Sequence, residues 1–323
     1  MTSEAVTGVL YTHDIRKLRA RISKYLEKKQ SVWVLFDNLD KGWSTQGVDN
    51  IDAVALRCLI DAGRKIEREM QKTGRPFHCV VFVRNDVYEH LMSSSADYGK
   101  EMRVVLDWTD ADLLREMLRL RLVSTLDATA PNIPFDQIWR QICNPHYLGE
   151  ETSAYIIERS LMRPRNVLKI FNHARGFANN FNRGKISDED FEKGLKAYSQ
   201  DLLVELDREL SDIFPHAREL LYYFLDAPNT LPPATVAEYL ATAGVNDQDI
   251  PKVIEFLLYF GVLGVKVEGG TYFIYNVHYD LKPLKIRAAR GGGSMSYVIN
   301  PAFWPALNIK PSYDVPSQSN LSL

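Results

Sequence analysis

The stretch Val32-Trp33-Val34-Leu35-Phe36-Asp37-Asn38-Leu39-Asp40-Lys41-Gly42-Trp43 decides how this chain of 323 residues is read. An apolar run stops at two carboxylates. Such a run suits a strand buried on both faces, as the strands of parallel sheets are. Ligands of those sheets lie beyond the carboxyl ends of the strands. A carboxylate such as Asp37, where the strand ends, can therefore meet a metal ion at that edge. The competing reading is a strand followed by an acidic turn, because Asp-Asn and Leu-Asp-Lys-Gly are common turn chemistry.

Working outward, Ile15, Leu18, Ile22, Tyr25 and Leu26 recur at helical spacing and predict a helix over 13–29. A polar, glycine-containing loop (41–50) precedes a second helix over 52–72, which Gly74-Arg75-Pro76 breaks. Phe77-His78-Cys79-Val80-Val81-Phe82-Val83 predicts a second buried strand, ending at Arg84, with a short helix from Asp86 to about Met92. Residues 103–107 read as a third short strand. From Asp110 to Asp207 the pattern is helical, with helices expected near 110–123, 134–143, 150–161, 164–181 and 187–208. Thr109-Asp110 and Ser187-Asp188-Glu189-Asp190 are good helix starts, since they combine cap oxygens with acidic first-turn residues.

Residues 212–280 change character. Three short helices (212–226, 232–243, 249–261) precede strand-like runs at 262–267 and 272–277 joined by Glu268-Gly269-Gly270, the pattern of a winged helix. The fold expected is thus α/β followed by an all-α region and a winged helix. Its parts are a partial parallel sheet in 1–108, a helical lid in 109–208, a winged-helix-like domain in 209–282 and a loosely ordered tail in 283–323.

Composition narrows the setting. The net charge of −2 gives no reason to expect nucleic acid or an anionic membrane as the dominant partner. Cys58, Cys79 and Cys143 stand far apart with no Cys-x-x-Cys, and Cys58 and Cys79 sit in apolar contexts, which favours buried thiols in a reducing cytosol over a disulfide or zinc site. The polar start of the sequence, which lacks an apolar core segment, is not expected to act as a signal peptide, and no stretch approaches the ~18 apolar residues of a membrane span. A cytoplasmic location is expected.

Three features occur in order: the Asp37-Asn38-Leu39-Asp40-Lys41-Gly42-Trp43 strand end, the apolar strand ending in Arg84, and Met162-Arg163-Pro164-Arg165-Asn166 opening a helix ahead of the winged-helix pattern. Over residues 31–280 this set resembles the STAND-class P-loop ATPases, bacterial relatives of AAA+ proteins whose Walker B reads Asp-Asp/Asn-Leu-Asp-Arg/Lys-Gly-Trp. The resemblance implies ATP and magnesium as cofactors and nucleoside-triphosphate hydrolysis as the activity. It gives Asp37 the magnesium shell, with Asp40 nearby, Arg84 the sensor-1 place near the γ-phosphate, and Arg163 and Arg165 the sensor-2 places on the lid. Such ATPases often serve signalling or anti-phage defence.

Two departures shape the expectation. Asn38 stands where these ATPases often carry a second acid; an amide can orient a water but cannot take its proton. No Gly-x-x-x-x-Gly-Lys-Ser/Thr occurs, and the nearest lookalike, Gly184-Lys185, has Asn179 and Ile186 at the other key places. The chain is therefore expected either to be the C-terminal portion of a longer ATPase or to need another polypeptide for its P-loop. Alone it is not expected to hydrolyse ATP. A nucleotide-free scaffold for protein contacts or self-association is the alternative.

The arginines admit a reading independent of the resemblance. Pro164 suits the first turn of a helix. Arg163 and Arg165 oppose the positive end of the helix dipole there, at ~0.3–1 kcal/mol each, where folding alone would favour Asp or Glu. Exposed helix N–H groups and two cations make an anion site, and Arg165, Lys169 and His173 stack at i, i+4 and i+8. A solvated basic face is the competing account. For Arg84 it is a surface arginine closing a strand. The candidate recognition helix, 249–260, has one lysine, two acids and no arginine, so it offers neither phosphate neutralisation nor bidentate guanine contacts. Lys282, Lys285, Arg287 and Arg290 read as a solvated tail.

Overall fold

The computed structural model describes residues 15–39, 50–91 (except 73, 75–76, 86 and 89–90), 103–125, 132–214 and 219–310. The chain divides into two compact units, Met1–Met102 and Arg103–Leu323, each with its own apolar cluster.

In the first unit, helix α1 (Ile15–Leu26) leads into strand β1 (Val32–Phe36), and helix α2 (Asn50–Lys72) crosses to strand β2 (Phe77–Val81). The strands pair in parallel, Val32 opposite Phe77 through Phe36 opposite Val81. Leu56, Val87 and Leu91 form the buried centre, with Leu39, Ile60, Val81 and Val83 packed against them. Gly63 lets α2 lie close on β2, since a Cβ there would stand 2.7 Å from the Cys79 sulfur.

The strand expected to be buried on both faces is not. Trp33 and Leu35 are 59% and 60% exposed, while Val32, Val34 and Phe36 are half-buried. Among the described residues the sheet has two strands; β1 alternates between exposed and half-buried residues, whereas all five residues of β2 are half-buried. Cys58 and Cys79, both expected buried, are exposed on α2 and half-buried on β2; Cys143 is buried.

The second unit begins with residues 103–110, which form no strand; the expected pairing over 103–107 is absent, and Val104 is 89% exposed. Helices α3 (Ala111–Thr125), α4 (Phe135–Ile142), α5 (Thr152–Arg159), α6 (Pro164–Asn180) and α7 (Asp188–Ile213) follow, with a small antiparallel pair of β3 (His146–Tyr147) and β4 (Glu150–Glu151) before α5. Their core holds Leu114, Leu118, Trp139, Ile156, Ile170, Phe191 and Leu203. The acids after Ser187 do form a cap: the Ser187 hydroxyl accepts from Asp190 N–H, and the Asp190 carboxylate accepts from Ser187 N–H.

Instead of a helix over 212–226, α7 runs on to Ile213, and a 3₁₀ turn, Leu220–Phe224, buries Leu220, Leu221 and Phe224. Strand β5 (Thr230–Leu231), α8 (Pro233–Thr242), α9 (Ile250–Tyr259), β6 (Leu263–Val267) and β7 (Gly270–Tyr272) come next. The turn between β6 and β7 falls where Gly269-Gly270 predicted it. The expected strand over 272–277 ends at Tyr272 and gives way to a 3₁₀ turn, Ile274–Val277, whose first residue is buried.

The expected loose tail is the largest correction. Residues 281–310 form α10 (Leu281–Gly291), β8 (Ser296–Ile299) and α11 (Trp304–Leu307). Strand β8 lies between β5 and β6, so the antiparallel order is β5-β8-β6-β7. Tyr297, Ile299, Phe303, Leu307 and Ile309 are buried. Their burial offsets the ordering entropy that the neighbouring glycines raise. Residues 311–323 lie outside the described residues. The architecture is mixed α/β, mostly helical, with small sheets. Among the described residues no helix is long and apolar enough to cross a membrane.

Candidate functional site

The parallel register fixes where the first group of candidates stands. Phe36 is opposite Val81, and Phe82 N–H donates to the Phe36 carbonyl at 2.9 Å, extending the ladder by one residue. Asp37 therefore leaves the carboxyl end of β1 beside Phe82, and Arg84 leaves the carboxyl end of β2 two residues later. Asn38 has φ 60°, a left-handed turn that asparagine tolerates, and its N–H donates to Asp37 Oδ1 at 2.8 Å. Asp37 and Asn38 are exposed, whereas Arg84 is half-buried. The Arg84 carbonyl accepts from Tyr88 N–H at 3.0 Å, which starts the next helical turn. Asp40 lies outside the described residues. Among those described, no group of three or more His, Cys, Asp or Glu side chains could hold a metal ion.

Arg163 and Arg165 belong to the second unit, at the start of α6. Leu161 (φ 56°) and Met162 (φ 52°) both adopt left-handed backbone just before it. Arg163 is the extended N-cap, Pro164 the first helical residue and Arg165 the second. The cap side chain makes no hydrogen bond and the first turn has no acid. Arg163 is half-buried; Arg165 is exposed. Asn166 is 4% exposed, and its side chain lies beside the buried Tyr198 hydroxyl. Burial pushes the Tyr198 phenol far up, a rise that the nearby Arg163 charge offsets only in part.

The stack of Arg165, Lys169 and His173 is divided. Lys169 pairs with Glu205, and His173 Nε2 lies 3.0 Å from Asp201 Oδ2. Both acids are on α7, so these two side chains tie α6 to α7 rather than stand ready for a phosphate. Arg165, at the start of the row, makes no ion pair among the described residues.

One cluster escaped the sequence reading. Asp107 Oδ2 is 2.9 Å from His278 Nδ1, and Thr109 Oγ1 is 3.4 Å from the same nitrogen. The Thr109 side chain and N–H, and then His278, hold the Asp107 carboxyl below the usual carboxylate range. His278 (φ 52°) and Tyr279 (φ 61°) are left-handed, and the Tyr279 hydroxyl donates to the Leu161 carbonyl at 3.2 Å. A separation of 171 residues between His278 and Asp107 leaves no periodicity or spacing by which sequence could have found the pair.

Comparisons with known proteins bear on part of this. Residues 112–207 match the model of FunZ_C, the FunZ-associated C-terminal helical domain. The chain is 26% identical over 219 residues to the transposon gamma-delta 80.3 kDa protein of Escherichia coli (strain K12), a match covering 66% of this chain and 30% of that protein. It is 27% identical over 140 residues to allergen Alt a 2 of Alternaria alternata, covering 42% of this chain and 70% of that one. Thus the match spans under a third of the longer curated relative's length. Among solved structures, a Thermotoga maritima RuvB K64R mutant aligns over 74% of this chain and 60% of its own, at 14% identity and a TM-score of 0.29, too slight a likeness to bear on the fold.

Proposed function

We propose that this chain is a regulatory module of a STAND-like P-loop ATPase, responsive to ATP and magnesium, whose phosphate-binding loop comes from another segment or from a partner protein. One observation carries the reading: β1 and β2 are parallel neighbours in a register that delivers Asp37 and Arg84 to the same carboxyl edge. In this reading Asp37 holds magnesium, Asn38 orients water and Arg84 senses the terminal phosphate. A single exposed carboxylate suits magnesium, which is usually held by one or two carboxylates together with substrate phosphates. It would not suit a metal caged by protein.

Arg163 and Arg165, at an α6 terminus without acid or side-chain cap, are the second element of the proposal, as lid residues that bind phosphate. The family match over 112–207 falls on α3–α7, the helices proposed as the lid. The two helices and β6–β7 hairpin that follow are proposed as a winged helix in which β8 is an additional strand.

The test is thermal unfolding of the full chain with and without Mg-ATP. A stabilisation that is lost in Asp37→Ala and reduced in Arg165→Ala supports the proposal. Stabilisation by ATP that neither substitution changes would falsify it. A scaffold that binds no nucleotide is the second reading, favoured by the exposed Trp33 and Leu35 face of β1. No thermal shift with Mg-ATP, alone or with a protein that the chain captures, would establish that one instead.

A further inference from the structure

The segment expected to be a loose basic tail is a rigid helix, which changes what its charges can do. Helix α10 carries Lys282, Lys285, Arg287 and Arg290 and no acid. Leu284 is fully buried and anchors one side. At 100° per residue, Leu281 and Ala288 fall within about 60° of Leu284, Lys282 and Arg290 fall on the opposite, outward side, Lys285 stands at its margin, and Arg287 lies close to the buried side.

Both ends of α10 are held. Asp280 caps the start, accepting from Lys282 N–H at 2.9 Å. At the other end Gly291 packs so tightly that a Cβ would stand 2.9 Å from Val267 Cγ1 and 2.9 Å from Met295 Cβ. Two of the cations are already oriented: Lys285 pairs with Glu255 on α9, and the Arg287 guanidinium lies 4.3 Å from the Tyr272 ring centroid. Lys282 and Arg290 are exposed and make no ion pair among the described residues.

Charge is distributed unevenly around this helix. Residues 262–310 hold six basic side chains (Lys266, Lys282, Lys285, Arg287, Arg290 and Lys310) against two acids, Glu268 and Asp280, in a chain whose net charge is −2. Helix α9, by contrast, buries Val253, Phe256, Leu257 and Leu258 and is unavailable as a reading helix.

We propose that the outward face of α10, centred on Lys282 and Arg290, is a contact surface for the sugar-phosphate backbone of nucleic acid. From Lys282 to Arg290 the helix rises about 12 Å, which spans several 3.4 Å steps of one strand. An anionic membrane is a poorer fit, because Ile286 is the only large apolar side chain on the exposed face and Leu284 is committed to the core. No base-specific reader accompanies the cations, so binding is expected to be independent of sequence.

The experiment is fluorescence anisotropy of the full chain with labelled duplex and single strands of about 30 nucleotides, over about 50 to 300 mM salt. The variant is Lys282→Ala with Arg290→Ala, which leaves the Lys285 and Arg287 contacts intact; unchanged circular dichroism shows that it folds. The expected result is salt-dependent binding whose log–log slope falls by about 2 in the variant, with at least about tenfold weaker affinity at low salt. No binding to either strand form, or binding that the variant leaves unchanged, overturns the proposal. Equal retention on vesicles of phosphatidylcholine and phosphatidylglycerol, or on polyglutamate, does so too, because it would mark a general polyanion surface.

Discussion

Replacing Gly194 by alanine tests how closely α6 and α7 pack. An added Cβ would lie 2.7 Å from Ala174 N, 2.8 Å from Ala174 Cα and 3.0 Å from its Cβ. The obstacle is chiefly helix backbone, which cannot rotate aside as a side chain does, so the two helices must separate. Overpacking of this kind typically costs ~1–3 kcal/mol. Alanine recovers ~0.8–1.0 kcal/mol of intrinsic helix propensity, leaving a net loss of up to ~2 kcal/mol. Gly176 is the matched control: it is exposed on α6 with no heavy atom within 4 Å of its hypothetical Cβ. Gly176→Ala should therefore stabilise by the propensity term alone, ~0.8–1.0 kcal/mol. Urea unfolding followed by helical circular dichroism separates the two, provided that the denaturant slope m stays constant. In thermal unfolding each kcal/mol corresponds to ~2–4 °C for a unit of this size. A Gly194→Ala protein stabilised as much as Gly176→Ala would show that the α6–α7 approach is not as close as described.

Two further outcomes follow from buried groups. Asp190, whose carboxyl burial alone would raise, is held below its usual range by Ser187 and Arg183, so its stabilisation is complete above the unfolded value near 4 and is lost as pH falls through the folded one. Asp190→Asn should cost ~0.5–2 kcal/mol at neutral pH and flatten the loss of thermal stability in acid; an unchanged acid profile would refute the assignment. Burial raises the Cys143 thiol, whereas Cys58 is exposed, so iodoacetamide should label Cys58 readily in the native chain and Cys143 only on unfolding. Equal native labelling of both would contradict that arrangement.

The elements best read from sequence are those whose signal is local. Val32–Phe36 and Phe77–Val81 are strands, and 50–72 and 164–180 are helices, because apolar period and breakers act within a few residues. The Ser187 cap was legible for the same reason. Burial was less so: the apolar run at β1 implied two covered faces, yet coverage depends on neighbours that the run itself does not specify. The row on α6 showed Lys169 and His173 but not Glu205 and Asp201, which reach them from another helix. Residues 296–299 were missed because a four-residue strand beside a glycine run has weak local preference; it is stabilised by β5 and β6 on either side.

The left-handed residues show the limit most clearly. Glycine would have announced such positions, but Leu161, Met162, His278 and Tyr279 do not, and each is disfavoured there by roughly 1–2 kcal/mol. The cost is tolerated because the two pairs constrain each other. The Tyr279 hydroxyl bonds to Leu161, whose side chain is 1% exposed in the core, and His278 is held by Asp107. Met162 directly precedes Arg163, so this locked turn sets the direction from which α6 begins and its arginines emerge. Their placement is a consequence of contacts more than a hundred residues away, which no local pattern in Met162-Arg163-Pro164-Arg165 encodes.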